Sequence, residues 1–243
     1  MTMAGIRWSS TGRSDRGGKR KINEDSVLQR PDAGIWLAAD GMGGHEAGDI
    51  ASRMIATAVA AVPGGGSLAD TVERVEQALV DVNVSLRDMA VNRYGGRTMG
   101  STVVALVAGD TVGVCLWAGD SRLYRLRAGR LERLSSDHSE VQELLDRGLI
   151  SAEEAVNHPH GNVITRAVGG AGTLYVDVRL FDVAAGDTFL LCTDGLYNEL
   201  EEHEIRAAVD ADLEASADRL LAQTLARGAR DNVSFILVRA MPV

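Results

Sequence analysis

Aromatic side chains are scarce in this chain, at 4% of 243 residues, and cysteine occurs only twice. With so few rings the core must rest on Val, Leu, Ile and Ala, inside a hydrophobic share of 45% that is ordinary for a packed protein. Cys115 and Cys192 both lie in apolar, strand-like runs, with no CxxC and no Cys/His group at zinc spacing. That pattern excludes a disulfide framework or zinc module and reads as buried free thiols in a reducing compartment. No apolar run approaches the ~20 residues that span a bilayer. The N-terminus has no continuous apolar stretch of the secretory type. The expectation is a cytoplasmic protein with no membrane partner. Basic charge is also in deficit: 25 Lys and Arg against 34 Asp and Glu give a net charge of −9 and a pI near 5.1. Such a balance argues against a nucleic-acid partner and favours solubility. Basic residues gather in one place, Arg13, Arg16, Lys19, Arg20 and Lys21, against a single Asp15. Most of these read as a solvated, partly flexible segment, and one or two of them as an anion-binding patch.

The length fits one domain spanning residues 1–243. Residues 35–39 read as a short buried strand, and Glu46 to about Val62 as a helix with acidic residues in its first turn. Ser67 reads as an N-cap with Asp70 three positions on. The helix that follows carries one apolar stripe, Val72, Val75, Leu79, Val82, Leu86 and Met89. A coiled coil and packing on a sheet both fit that stripe, and its short length favours the sheet. The period then changes. Residues 101–108 and 111–118 are apolar runs joined by Gly109-Asp110, and residues 121–127 and 131–134 flank Ala128-Gly129, two hairpin signals. Residues 139–160 read as two short helices in polar loops, a candidate flap. Strands follow at 174–183 and 188–193, helices at 202–210 and 213–228, and a strand at 233–239. This order indicates an α+β fold of two packed sheets covered by helices.

Three aspartates stand beside apolar runs and before a glycine or asparagine: Asp40 in Asp40-Gly41-Met42-Gly43-Gly44, Asp194 before Gly195, and Asp231 before Asn232. Glu24-Asp25 adds an acidic pair. Strand ends hold side chains rigidly, and hard divalent cations take carboxylates converging from separate elements. The glycines also allow a phosphate-cradling loop, but the spacing matches neither GxGxxG nor the Walker loop. A third reading is a set of capped turns, since Asp-Gly commonly just turns the chain. No Ser-His-Asp or Cys-His pairing is visible among the five histidines. A water activated by metal is therefore the better nucleophile candidate.

Eight segments, in order along nearly the whole chain, resemble one family: RKINED at 20–25, ADGMGGHEAG at 39–48, GSTVV at 100–104, AGDSRLY at 118–124, DHS at 137–139, TRAVG at 165–169, CTDGLY at 192–197 and RDNVS at 230–234. The chain is similar to the metal-dependent protein phosphatases (the PPM family, protein phosphatase 2C-like) in their compact bacterial form. The resemblance implies a four-layer α-β-β-α sandwich: two central, mostly antiparallel sheets flanked by helix pairs, with a small flap at about 139–165. It implies two Mn²⁺ or Mg²⁺ ions bridged by Asp40. Asp194 and Asp231 would complete the first, and the Gly41 carbonyl and Glu24 would serve the second. Asp25 would orient water, and Arg20 would grip the substrate phosphate. Asp120 would help hold a third ion with Asp194 shared. The implied reaction is hydrolysis of phosphoserine and phosphothreonine by direct attack of a metal-bridging water. The implied partners are phosphorylated proteins and an opposing Ser/Thr kinase, with the phosphatase itself a monomer. Many eukaryotic relatives carry a histidine, their proposed general acid, where this chain has Met42. His45 is a substitute acid or simply a polar residue at a helix start. Asp137 and His138 read as structural, and His158 and His160 as flap-surface residues. A catalytically silent binding module and a phosphatase for small phosphoesters are the other readings; the intact acidic set weighs against the first.

Overall fold

Alternation within single strands sets the layering. In β3 (Ile35–Met42), Ile35, Leu37 and Ala39 enter one buried cluster while Trp36 and Ala38 enter another. β5 (Val103–Ala108) divides the same way, with Val103, Ala105 and Val107 on one side and Val104 and Leu106 on the other. A strand buried on both faces must read as a continuous apolar run, which is why these segments are legible as strands. The computed structural model describes residues 5–44, 46–156 and 158–243.

Sheet one runs β1 (Ile6–Asp15), β11 (Val233–Pro242), β10 (Thr188–Cys192), β7 (Arg122–Arg127), β8 (Arg130–Arg133). Sheet two runs β2 (Asp25–Arg30), β3, β5, β6 (Val112–Ala118), β9 (Asp177–Asp182), with β4 (Gly100–Ser101) paired to the end of β3. Every pairing between these strands is antiparallel. Helices α1 (Glu46–Ala60) and α2 (Leu68–Arg93) cover sheet two, and α6 (Glu202–Ala208) and α7 (Leu213–Ala226) cover sheet one. The result is the expected α-β-β-α sandwich. No helix among the described residues is long and apolar enough to cross a membrane.

The few aromatics are not spread evenly. Of the six Trp and Phe residues, Trp8, Trp36, Trp117, Phe181 and Phe189 all belong to the layer between the sheets. Trp8 lies 5.3 Å from Trp36 and 6.2 Å from Phe189, between ring centroids. Each buried ring contributes about 1.5–3 kcal/mol. The stripe of α2 packs on sheet two, with Val75, Leu79, Val82 and Leu86 buried. Ser67 and Asp70 form a reciprocal capping box. The Ala128-Gly129 turn joins β7 to β8 with φ of 50° and 77°, the positive values a type I′ hairpin requires.

Two expectations are corrected, and one strand goes unread. The basic N-terminal stretch is not a flexible segment throughout: Ile6–Asp15 forms ten residue pairs with β11, and Arg13 bonds Glu214 and Asp218 of α7. A strand at Asp25–Arg30 goes unread in the sequence because it is half-exposed and polar. Asp40 does not end its strand, since β3 continues through Gly41 and Met42, which pair with β4. The 139–165 segment holds α3 (Glu140–Asp146) and α4 (Ala152–Val156). A bridge between Ser139 and Ile164 closes its base.

Candidate active site

The parity that layers the core also aims the acids. Trp36 and Ala38 face the inter-sheet layer, so Asp40, two positions on, points to the end of that layer. Val27 of β2 packs into the same layer, so Asp25 shares its side. Asp25 and Asp40 are direct partners in the β2–β3 register. From the other sheet, β10 ends at Cys192, and Asp194 opens the one-turn helix α5 (Asp194–Tyr197). Asp231 stands just before β11. Both sheets thus deliver carboxylates to one mouth.

Close backbone approach fixes the glycines. A Cβ on Gly41 would lie 2.0 Å from the Gly48 carbonyl oxygen, and one on Gly195 would lie 1.8 Å from that of Asn232. Neither position admits another residue without moving main chain. Asn232 ties the approach together. Its Oδ1 accepts from the Glu24 amide at 2.8 Å, and its Nδ2 donates to the carbonyls of Arg16 and Ile22 at 2.8 and 3.0 Å. The Thr102 hydroxyl accepts from the Asp40 amide at 3.0 Å and lies 2.7 Å from the Ser121 hydroxyl. Thr193 donates to Asp25 Oδ2 at 2.9 Å, Asn198 donates to Asp194 Oδ2 at 3.0 Å, and the Tyr197 hydroxyl donates to the Asp120 carbonyl at 2.9 Å.

These acids are crowded, and several of their oxygens are buried. Burial, then Asp25 and Asp194, hold the Asp40 carboxyl well above its ordinary range. Burial outweighs the Ser234 and Thr193 hydrogen bonds and, helped by repulsion from Asp194 and Asp231, pushes Asp25 up to about 7. Burial and Asp194 push Asp120 up to about 7. Burial and Asp231 push Asp194 up to about 6, although Asp194 lies within hydrogen-bonding reach of Asp40. Burial raises Glu24 too. Glu24 Oε1, Asp25 Oδ1 and Asp194 Oδ1 are buried without any hydrogen-bond partner. The Arg20 guanidinium stands beside this group, its Nη2 donating to Asp231 Oδ2 at 2.6 Å.

Buried, unpaired carboxylate oxygens are costly unless a cation meets them, so the residues fit hard divalent ions. No three acidic, histidine or cysteine side chains among the described residues already close around one point. Mg²⁺ and Mn²⁺ suit such an open, oxygen-rich set, because both complete their coordination with waters. A cavity of about 620 Å³ joins Arg20, Glu24, Asp40, Gly41, Asp194 and Asp231. Met42 also lines it and has no proton to give.

All eight candidate residues therefore meet at or beside one mouth, with Asp25 behind Asp40 and Asp120 in the adjoining pocket. His45 lies outside the described residues. Asp137 binds the half-buried Arg122 at 2.6 Å, and His138 stacks on Trp117 and accepts from the Gly119 amide at 3.0 Å, so both serve structure. His160 is exposed and beside Glu140. Sequence reading missed Asn232, Thr193, Thr102 and Tyr197 as the groups that orient the acids. Only their places next to the acidic motifs could have pointed to them.

Comparison with known proteins gives one answer. The protein phosphatase 2C family profile matches residues 11–236. The serine/threonine phosphatase stp of Listeria monocytogenes is 36% identical over 235 residues, which cover 93% of each chain. Among solved structures, PppA, a key regulatory component of T6SS in Pseudomonas aeruginosa, superposes with a TM-score of 0.90 at 42% identity, over 98% of this chain and all of that one. The catalytic domain of the serine/threonine protein phosphatase PstP, solved in complex with two manganese ions, gives a TM-score of 0.87 at 32% identity, over 97% and 99% of the chains.

Proposed function

The chain belongs to the protein phosphatase 2C family of metal-dependent serine/threonine phosphatases, and from that premise we propose how its own residues divide the work. Asp40, Asp194 and Asp231 would hold one cation, and Asp40, the Gly41 carbonyl and Glu24 would serve a second. Asp120, with Asp194 shared, would serve a third. When bound, Mn²⁺ or Mg²⁺ supplies Lewis acidity and a water of lowered pKa. The observation that carries this assignment is the convergence of buried, partnerless carboxylate oxygens from both sheets on one cavity.

Arg20 binds the phosphoryl oxygens of the substrate, a role its planar, permanently charged fork suits. Asp25 is held through one oxygen by Thr193 and keeps the other free to orient water. Water adds to phosphorus as the P–O bond to the Ser or Thr side chain breaks, releasing inorganic phosphate and the hydroxyl. Met42 cannot protonate that leaving oxygen, so water in the cavity does. The substrates are phosphorylated proteins, and the enzyme opposes a Ser/Thr kinase. It works as a monomer in the cytoplasm, where the buried thiols of Cys115 and Cys192 stay reduced.

The test is phosphate release from a phosphothreonine peptide and from p-nitrophenyl phosphate, by wild type and Asp40→Asn, with Mn²⁺, Mg²⁺ or EDTA. Peptide hydrolysis that needs metal and is lost in the variant supports the assignment. Folded wild type inert under every metal would leave a silent binding module.

A further inference from the structure

A second cavity, of about 400 Å³, lies beside the first, and Asn162, Asp194 and Asn198 line both. The segment carrying α3 and α4 roofs it through Val141, Gln142 and Leu145. Away from the acidic mouth its wall is basic. Arg122 and Arg133 both line it, and both donate to one carboxylate, that of Asp137, at 2.6 and 3.3 Å. Two guanidiniums on one anion leave a positive charge in excess.

The two arginines are not equivalent. Arg122 is fully engaged: it donates through Nε and Nη2 to Asp137, through Nη1 to the Tyr124 hydroxyl at 3.0 Å, and stacks 3.6 Å over the Tyr197 ring. Arg133 is held only by long bonds, 3.3 Å to Asp137 and 3.2 Å to the Gln142 side-chain oxygen. Its side chain is the more exposed of the two, 29% against 18%. It can therefore turn toward a ligand with little loss. The other acids on this cavity, Asp120 and Asp194, belong to the proposed cation-binding set, where their charge is matched.

We propose that this second cavity is a substrate subsite for the carboxylate of an Asp or Glu near the phosphorylated residue, and that Arg133 selects it. The proposal rests on the phosphatase reading of the first cavity. Neighbouring residues of an extended peptide step by about 3.3 Å, so a side chain one to three positions away reaches an adjoining pocket while the phosphate stays at Arg20. A charge-assisted bond to a partly sheltered guanidinium gives selectivity, because a wrong-sign partner leaves the pocket's charge unmet.

The experiment uses phosphothreonine peptides carrying Glu, Gln or Lys at each position from three before to three after the phosphothreonine. The readout is the ratio of kcat/KM between Glu and Lys peptides. Wild type is expected to favour Glu by about tenfold at one or more positions. Arg133→Glu is expected to invert that ratio and Arg133→Gln to bring it near one. Should Arg133→Glu fold poorly, Arg133→Gln alone decides. A wild-type ratio near one at every position overturns the subsite. So does a variant that slows Glu and Lys peptides alike, which is what a purely structural role in holding Gln142 would produce. Wild type that hydrolyses neither peptides nor p-nitrophenyl phosphate would sink the parent reading first, and this proposal with it.

Discussion

Asp25 and Asp40 face each other as direct cross-strand partners on β2 and β3. Like charges so placed destabilise a sheet, and here Asp25 is buried and Asp40 half-buried as well. The pair makes sense as part of a site whose missing counter-charge is a cation. Its cost to the protein without that cation can be measured.

The first prediction concerns pH. In the folded protein burial and neighbouring carboxylates push Asp25 and Asp120 up to about 7 and Asp194 up to about 6, from an ordinary 3.8. Raised carboxylates mean that the folded state binds more protons than the unfolded one between about pH 4 and pH 7. Their contribution to stability is therefore present below that window and lost as pH rises through it. In EDTA, Tm should fall by several degrees from pH 5 to pH 8. Millimolar Mn²⁺ should restore it at pH 8, and Asp120→Asn should flatten the slope. Thermal melts with identical slopes for wild type and Asp120→Asn would count against burial as the cause.

Neutralising the centre should separate stability from activity. Asp194→Asn removes one charge from a buried, mutually repelling group. Its Tm in EDTA at pH 8 should rise, while its turnover with Mn²⁺ drops about 10²–10³-fold, an order typical of losing a key electrostatic group. A variant that loses both stability and activity would contradict this account.

Gly195→Ala tests backbone approach. The added methyl would meet the Asn232 carbonyl oxygen at 1.8 Å, so β11 and α5 must part. Overpacking of this kind costs about 1–3 kcal/mol, and denaturant melts should show it. Titration of Mn²⁺ by calorimetry should show weakened affinity as well, because Asp194 and Asp231 flank the contact.

Asp137→Ala should be costly although it is no part of the metal set. It strips Arg122 of its bidentate partner in a pair whose side chains are 18% and 9% exposed. Leaving one buried charge alone costs about 3–5 kcal/mol. Pairing it with Arg122→Met should recover part of that loss in urea melts. A double variant no more stable than Asp137→Ala would argue that Asp137 acts elsewhere.

The layered core was legible because strands buried on both faces must be apolar throughout, as Phe189–Cys192 and Val103–Ala108 are. Hairpins were legible from turn chemistry at Gly109-Asp110 and Ala128-Gly129. β1 was not, because Arg7, Ser9, Ser10, Thr11 and Arg13 carry no local strand signal and become a strand only by pairing with β11. β2 failed for the same reason. At the site, the recurrence of Asp before Gly or Asn exposed the carboxylates, and the family resemblance supplied their roles. Asn232, Thr193 and Tyr197 stayed hidden because hydrogen bonds such as Glu24 to Asn232, 208 positions apart, leave no trace in spacing.

The ladder between Ile6–Asp15 and Val233–Pro242 also governs when this enzyme can come into being on the ribosome. Glu24 and Asp25 leave the exit tunnel long before Asp231, so a nascent chain carries these acidic residues apart until Asp231 has been made. Such distant pairing makes a high contact order, and folding slow relative to helical proteins. A chain that has not yet made β11 lacks both the partner of β1 and the Asp231 that stands just before it.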